Sequence, residues 1–461
     1  MQAFMCSKKN NGLKSRIFKA GSWVLVKYIA SQVIRLSGNL ILTRLLVPEM
    51  FGVMALVTVI LMGLNLFSDI GLTQNIIQSR RGEEPKFLNT AWVVQIIRGF
   101  AISLIMLITA WILSLLIINK MLPIGSAYAN PILPVVITVM SLMPLISGFQ
   151  STKLFVQNRK LRLARITVLE LISQITGLIV MIAWAAIEQS IWALVVGNLV
   201  SSIVKMILSH TIIDGHPNRF EWDHGAFDEI FHFGKWIFIS SIMGFLISQG
   251  DKLILGGLMT ADRLGIYSIA FFLSNATLQA IVRLSGSVFF PAFSEIHRET
   301  PEKLSRIYYK IRHRVDFITY FIAGLLFFSG TTIISILYDN RYIEAGWMLQ
   351  VLSFSLFVVG FLVADECFLA LGKPKILVFI STVQAITLFL IVPVSFYIFG
   401  VYGAVWGVTL NMVPRIILVI AYMKKNKLLQ LNKEFIMFPM FFVGCAIGYL
   451  VNVFFSTFIS I

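Results

Sequence analysis

Thirteen apolar runs, each long enough to cross a hydrocarbon core of about 30 Å, fill most of this 461-residue chain. With soft ends they cover residues 20–46, 50–78, 88–118, 132–156, 164–187, 190–212, 233–258, 264–290, 315–337, 342–371, 376–398, 402–423 and 435–459. The composition agrees, with 57% hydrophobic and 13% charged residues, where a soluble chain carries about a quarter charged. No cleavable signal peptide is expected. The first segment is basic and polar, and a full-length span follows it.

The net charge of +16 raises the question of nucleic acid. Its distribution answers it. Alternate connections carry the bases: five in the N-terminal segment (Lys8, Lys9, Lys14, Arg16, Lys19), three in 79–87, four in 157–165, one in 210–228, six in 294–314, two in 372–375 and four in 424–434. The connections between these hold only Lys120, Arg263 and Arg341. The positive-inside rule therefore puts the N-terminus in the cytoplasm. Thirteen spans put the C-terminus outside. No nucleic-acid partner is expected.

Part of the first span recurs 213 residues later without a gap. Gly21 to Leu56 aligns with Gly234 to Ile269, and nine of the 36 positions are identical. Gly21 falls on Gly234, Trp23 on Trp236, Glu49 on Asp262 and Gly52 on Gly265. Hydrophobicity alone does not align Gly, Trp and acidic positions. Two similar membrane halves are a common plan for transporters. Six spans precede the polar break at 213–229, so both halves enter from the cytoplasm, related by a pseudo-two-fold axis along the membrane normal. The expected divisions are a cytoplasmic segment 1–19, a lobe of six spans over 20–212, a cytoplasmic linker 213–232, a second lobe over 233–424 and an extra helix over 425–461.

No enzyme motif survives inspection. The nucleotide-binding G-x-x-x-x-G-K-[ST], the zinc-protease H-E-x-x-H and the esterase G-x-S-x-G are all missing. The longest outward connection, about 119–131, is too short for a catalytic domain. Cys6, Cys367 and Cys445 make no framework and nothing has zinc spacing. Four histidines lie in 210–232 beside Asp214, Glu221, Asp223 and Asp228. A solvated linker with a short interfacial helix accounts for them better than a metal site does. No cofactor is expected.

Charge inside the membrane is what carries chemistry here. Each such charge costs about 2.5–3.5 kcal/mol on insertion scales and so faces a cavity or a partner. Ten bases lie within spans against six acids, besides Glu344 at a span end, an excess of three to four positive charges. A cavity of that sign suits an anion, and Lys and Arg suit phosphate. Arg35, near mid-depth of the first span, and Arg98, about ten residues into the third, lead the candidate substrate-binding set. Lys27, Lys205, Lys252, Arg283 and Arg415 complete it. Lys153, Lys235, Glu170 and Asp316 lie near cytoplasmic span ends and Arg44 at an outer end, within reach of the interface. Asp69, Asp251, Asp365 and Glu366 are expected as charge partners or gates, because a carboxylate repels phosphate. Asp69 and Arg283 lie at nearly matching depths and form a candidate pair. Asp251 and Lys252 point about 100° apart on a helix, which favours partners on different helices. Asp365 and Glu366 either form a gate or meet Lys373 and Lys375.

The passage LTRLLVPEMFGVMALVTVIL…LFSDIGLTQNIIQ (42–78) closely resembles the start of Wzx-type polysaccharide flippases of the MOP exporter superfamily. GDKLILGGLMTADRLGIYSIAFFLS (250–274) resembles the start of their second lobe, and span count, lobe spacing and the basic loop QNRKLRLAR extend the likeness over nearly the whole chain. The resemblance implies an all-α membrane protein with two six-helix lobes around a cationic central cavity, in the bacterial inner membrane. It implies transport of undecaprenyl-pyrophosphate-linked oligosaccharide repeat units to the outer leaflet, amid membrane lipid and other polysaccharide assembly proteins. The rival readings are a multidrug exporter of the same superfamily, which would favour an acidic or aromatic cavity, and a polysaccharide polymerase or ligase, which would need a large outward loop. Such flippases have twelve or fourteen spans. The last element here is therefore either one span or a pair broken around Gly444 and Gly448.

Overall fold

The computed structural model describes Trp23 and residues 26–69, 71–284 and 289–458, and the side chains of these except 232–240, 283, 284 and 458. No strand occurs among the described residues. A helix α1 covers residues 26–45. It is followed by α2 (Pro48–Phe67), α3 (Leu72–Gln78), α4 (Pro85–Ile118), α5 (Leu133–Met140), α6 (Leu142–Gly148), α7 (Lys153–Arg159), α8 (Leu163–Ile187) and α9 (Trp192–Thr211). Then come α10 (His224–Leu258), α11 (Ala261–Leu284), α12 (Phe290–Glu299), α13 (Leu304–Leu337), α14 (Ala345–Ser353), α15 (Val359–Ala370), α16 (Pro374–Leu410), α17 (Met412–Lys425) and α18 (Pro439–Phe458). Among the described residues nine helical stretches are long and apolar enough to cross a membrane, and a bent pair, Leu133–Gly148 with Lys153–Arg159 at 60°, makes a tenth. Among the described residues, each of the thirteen apolar runs is mostly helical. The 52-residue stretch Pro374–Lys425 holds two of them, divided at Gly400, whose φ of 64° and ψ of −146° are open to glycine and strained for other residues.

The chain forms two compact units. The first comprises residues up to Leu46, Leu56–Ile124 and Tyr128–Phe245. Within it α8 lies along α9, and α4 packs against α5 and α6. The stretch expected as a solvated linker with a short interfacial helix is tied to helices of this unit. Asn218 Oδ1 accepts from Ser151 Oγ at 2.7 Å, Asn89 Nδ2 donates to Glu221 Oε2 at 2.8 Å, and Arg81 Nη2 reaches Asp223 Oδ2 at 2.5 Å. The Arg81 guanidinium holds the Asp223 carboxyl below the usual carboxylate range. Arg159 donates to the carbonyls of Ile76, Ile77 and Ser79, satisfying the C-terminal end of α3. Residues 224–232, within the expected linker, begin α10.

The second unit comprises Val47–Ala55, Gly125–Ala127 and everything from Leu246 on. α13 is its centre, packed against α14, α15 and α18. α18 is one continuous 20-residue helix. Its glycines do not break it. A Cβ on Gly444 would meet the backbone of Phe321 and Leu325, and one on Gly324 that of Phe441 and Cys445. Small residues four apart let two membrane helices approach backbone to backbone, which is what holds the thirteenth span to α13. A second close crossing joins α2 to α11. A Cβ on Gly52 would strike the Ala261 carbonyl, and one on Gly265 the Pro48 carbonyl. Shifting Pro48 and Gly52 by 213 gives Ala261 and Gly265, so the crossing exchanges with itself under the sequence repeat, as a local two-fold requires.

Two connections read as loose loops are packed structure. The six bases of 294–314 include Arg312, which lies inside the 34-residue α13 and is 1% exposed. Its Nη1 donates to Glu434 Oε2 at 2.5 Å, its Nε to Asp316 Oδ2 at 3.2 Å, and its guanidinium lies 4.0 Å from the Phe361 ring centre. Tyr309 donates its hydroxyl to Glu434 Oε1. Gln430 N donates to that hydroxyl at 2.9 Å, and Ser305 Oγ to Leu428 O at 2.7 Å. Asp316, read as reaching the interface, is 1% exposed and held by Arg312. Burying the carboxylate required a partner, and α13 supplies one a turn earlier.

Candidate functional site

Among the described residues of the first unit, two places bring charges within apolar helices onto partners from other helices. In one, α1, α8 and α9 each contribute one ionised side chain. Lys27 Nζ pairs with Glu170 Oε2, and Lys205 Nζ lies 3.8 Å from Glu170 Oε1. The lysines are about a third exposed (33% and 34%) and Glu170 is 18% exposed. Glu170 was read as reaching the interface. It stands instead between two lysines because glycines bring its helix close to both neighbours. Gly38 of α1 lies against Leu178 of α8, and Gly177 of α8 against Gly197 and Ser201 of α9.

In the other, Arg98 of α4 reaches the C-terminal end of α2. Its Nε donates to Ser68 Oγ at 3.0 Å and its Nη2 to Asn65 O at 2.6 Å. A helix C-terminus leaves carbonyls without intrahelical partners and attracts a cation. Asp69 follows at once, half-buried, accepting from Gly71 N at 2.9 Å and acting electrostatically on Arg98. Among the described residues Asp69 forms no ion pair with it, so the guanidinium is held mainly by neutral oxygens. Arg35 is exposed on α1 and engages other groups of the chain. An apolar cavity of about 600 Å³ lies near the N-terminal end of α4 and the C-terminal ends of α6 and α9, lined by Trp92, Phe149, Met206 and His210 among others.

In the second unit Asp251 is buried and accepts from Tyr267 of α11 at 2.6 Å. Its neighbour Lys252 donates to Gln249 Oε1 at 3.1 Å and lies 4.1 Å from the Phe271 ring centre. Arg415 of α17, 5% exposed, pairs with Asp365 of α15 and donates to Gln384 Oε1 of α16 at 2.9 Å. Three helices thus meet on one guanidinium. Asp365 faces Arg415 rather than the lysines after α15, where Lys373 donates to Asn426 Oδ1. Glu366 is half-buried beside it. The Arg283 side chain lies outside the described residues, and the Asp69–Arg283 pairing with it. The candidate set therefore divides. Arg415 has a carboxylate to itself, Lys27 and Lys205 share one, and Arg98 and Lys252 rest on neutral oxygens and an aromatic face. Sequence reading missed Arg312 and Glu434, whose signal was weak: both sit in stretches polar enough to pass for loop.

Residues 41–346 match the family described as polysaccharide biosynthesis protein. The lipopolysaccharide biosynthesis protein WzxC of Escherichia coli (strain K12) is 22% identical over 325 residues, covering 69% of this chain and 62% of that protein. The succinoglycan biosynthesis transport protein ExoT of Rhizobium meliloti (strain 1021) is 22% identical over 258 residues, covering 56% of this chain and 49% of that protein. The chain thus spans less than two thirds of the length of the curated relatives it matches. Among solved structures, the lipid II flippase MurJ in an inward closed conformation superposes with a TM-score of 0.68 at 16% identity, over 94% of this chain and 98% of that one. An inward-facing multidrug resistance MATE family transporter of the MOP superfamily gives 0.63 at 14% identity, over 86% and 95%. At such identities the likeness concerns the fold, which is that of these all-helical transporters.

Proposed function

Because the chain belongs to the polysaccharide biosynthesis protein family and is a multi-pass protein of the bacterial inner membrane, we propose that it is a flippase for surface polysaccharide assembly. Its cargo is an undecaprenyl-pyrophosphate-linked oligosaccharide, carried from the cytoplasmic to the outer leaflet. The pyrophosphate and sugars cannot enter hydrocarbon, whereas the lipid tail can stay in it. A polar path through the protein, open to one side and then to the other, meets that need without a covalent step.

The observation that carries this reading is the surplus of positive charge on partly exposed side chains within apolar helices. Lys27 and Lys205 share Glu170, and Lys252 and Arg98 are held mainly by neutral groups. A cation exporter would need the opposite sign. A polymerase or ligase would need an outward domain, and the connection between α4 and α5 has only residues 119–132. WzxC and ExoT, by their names, serve lipopolysaccharide biosynthesis and succinoglycan transport, and this chain is assigned the same class of cargo.

Arg98→Ala is expected to lower surface polysaccharide several-fold at unchanged protein abundance. Arg98→Lys restores part of it, because an ammonium lacks the planar fork that reaches Ser68 and Asn65 together. Quantitative immunoblotting of polysaccharide and protein in a complemented deletion strain reads both. Normal export by Arg98→Ala would remove this arginine from the substrate path.

A further inference from the structure

We infer that Glu170 is an internal stand-in for the substrate's phosphate, holding Lys27 and Lys205 between transport events and giving them up to the incoming diphosphate. The inference rests on the proposed flippase reading and concerns a residue that reading does not use.

Three features support it. First, the charges do not balance. Two ammonium groups and one carboxylate leave a net positive charge in an apolar bundle, where an uncompensated charge is costly. A diphosphate carries the missing negative charge and a carboxylate does not. Second, the two contacts are unequal. Lys27 is in direct contact with one carboxylate oxygen, while Lys205 stands 3.8 Å from the other, beyond hydrogen-bond distance. The second lysine is held at ion-pair distance without a hydrogen bond. Third, both lysines are about a third exposed, so an anion can reach them without unpacking the helices.

The packing around the triad also suits exchange. α1, α8 and α9 are held together elsewhere, by the glycine contacts at Gly38, Gly177 and Gly197. The ionic group is therefore not needed to hold the helices, and its carboxylate can swing away. On α1, Ser31 is 3% exposed and its hydroxyl has no hydrogen-bond partner. At four-residue spacing it lies on the same helix face as Lys27. A buried hydroxyl without a partner can donate to a phosphate oxygen.

A phosphate and the Glu170 carboxylate repel when both approach one lysine. At an effective dielectric of about 20 that repulsion amounts to a penalty of tenfold or more in affinity. Glu170 thus weakens binding and promotes release, which a transporter needs and a binding protein does not.

The test uses the full-length protein in lipid nanodiscs and inorganic pyrophosphate as probe, with affinity read by calorimetry and folding by thermal unfolding. Glu170→Gln is expected to bind pyrophosphate on the order of tenfold more tightly and to export less polysaccharide in cells. Lys205→Gln is expected to bind on the order of tenfold more weakly with an unchanged unfolding temperature. The second variant decides the matter if the first does not fold. A folded Glu170→Gln with unchanged or weaker affinity overturns the inference. So does a Lys205→Gln that melts early while binding as before, since the triad would then be structural. Wild-type protein that supports export yet binds no pyrophosphate also overturns it and leaves the flippase reading standing. Normal surface polysaccharide in a deletion strain overturns the flippase reading itself.

Discussion

Arg312→Ala is expected to destabilise the protein by about 3–5 kcal/mol, the loss seen when one member of a buried ion pair is removed. Arg312 is 1% exposed and lies between two carboxylates that are 1% and 2% exposed, Asp316 and Glu434. Without it both acids stay buried with only Tyr309 to donate to them, and the segment 428–434 loses its ionic anchor on α13, keeping only neutral hydrogen bonds. Membrane abundance should fall sharply, and the purified protein should melt early. Arg312→Lys should recover only part, because one ammonium cannot serve Asp316, Glu434 and the Phe361 face together. The combination Arg312→Met, Asp316→Asn, Glu434→Gln should recover more than Arg312→Ala, since it removes the charges along with their partner. Near-native melting of Arg312→Ala would show that the cluster does not hold the second unit together.

Gly52→Val is expected to abolish export. Its Cβ would occupy the position of the Ala261 carbonyl oxygen, and backbone cannot rotate away as a side chain can. α2 and α11 would have to part, at an overpacking cost of about 1–3 kcal/mol. Gly265→Val should do the same through the Pro48 carbonyl. Even alanine should be harmful at either position, because the Cβ itself is the obstacle. Gly244→Ala is the control: nothing lies within 4 Å of a Cβ there, and the change should be silent. Surface polysaccharide and thermal unfolding measured together separate lost transport from lost folding. Wild-type export by Gly52→Val would mean that the crossing is not needed for the transport cycle.

Most of the span plan could be read from hydropathy, because lipid tolerates few charges over twenty residues and the breaks fall where charges return. The boundary at 399–401 is the exception: no charge marks it, and the backbone turns at Gly400. Polarity misleads where a helix continues past the apolar stretch. LSRIYYKIRHR (304–314) has the composition of a loop, yet it is the first third of α13, and its tyrosines and Arg312 face a buried partner. Glu434 is missed for the same reason: its partner lies 122 residues away in sequence. Glycines are ambiguous in the same way. Gly444 and Gly448 read equally as a break or a packing face, and only the position of α13 decides between them. For the charges, depth along a span was legible and partners were not. Arg415 and Arg98 look alike in sequence, but one has an acid to itself and the other rests on a helix end. Glu170 and Asp316 were both placed at the interface by depth alone, and in each case a base on the structure claims them.

Purified protein reconstituted with a fluorescent polyprenyl-pyrophosphate oligosaccharide in sealed liposomes tests the central claim most directly. Periodate that cannot cross the membrane destroys outer-leaflet sugars, and the protected fraction is followed over time. The flippase account predicts that protection disappears with wild-type protein, persists without protein, and persists with Gly52→Val or Arg98→Ala. With Arg98→Ala the persistence is partial, protection being lost several-fold more slowly than with wild type. Protection that persists with folded wild-type protein, or that Arg98→Ala removes as fast as wild type, would contradict it.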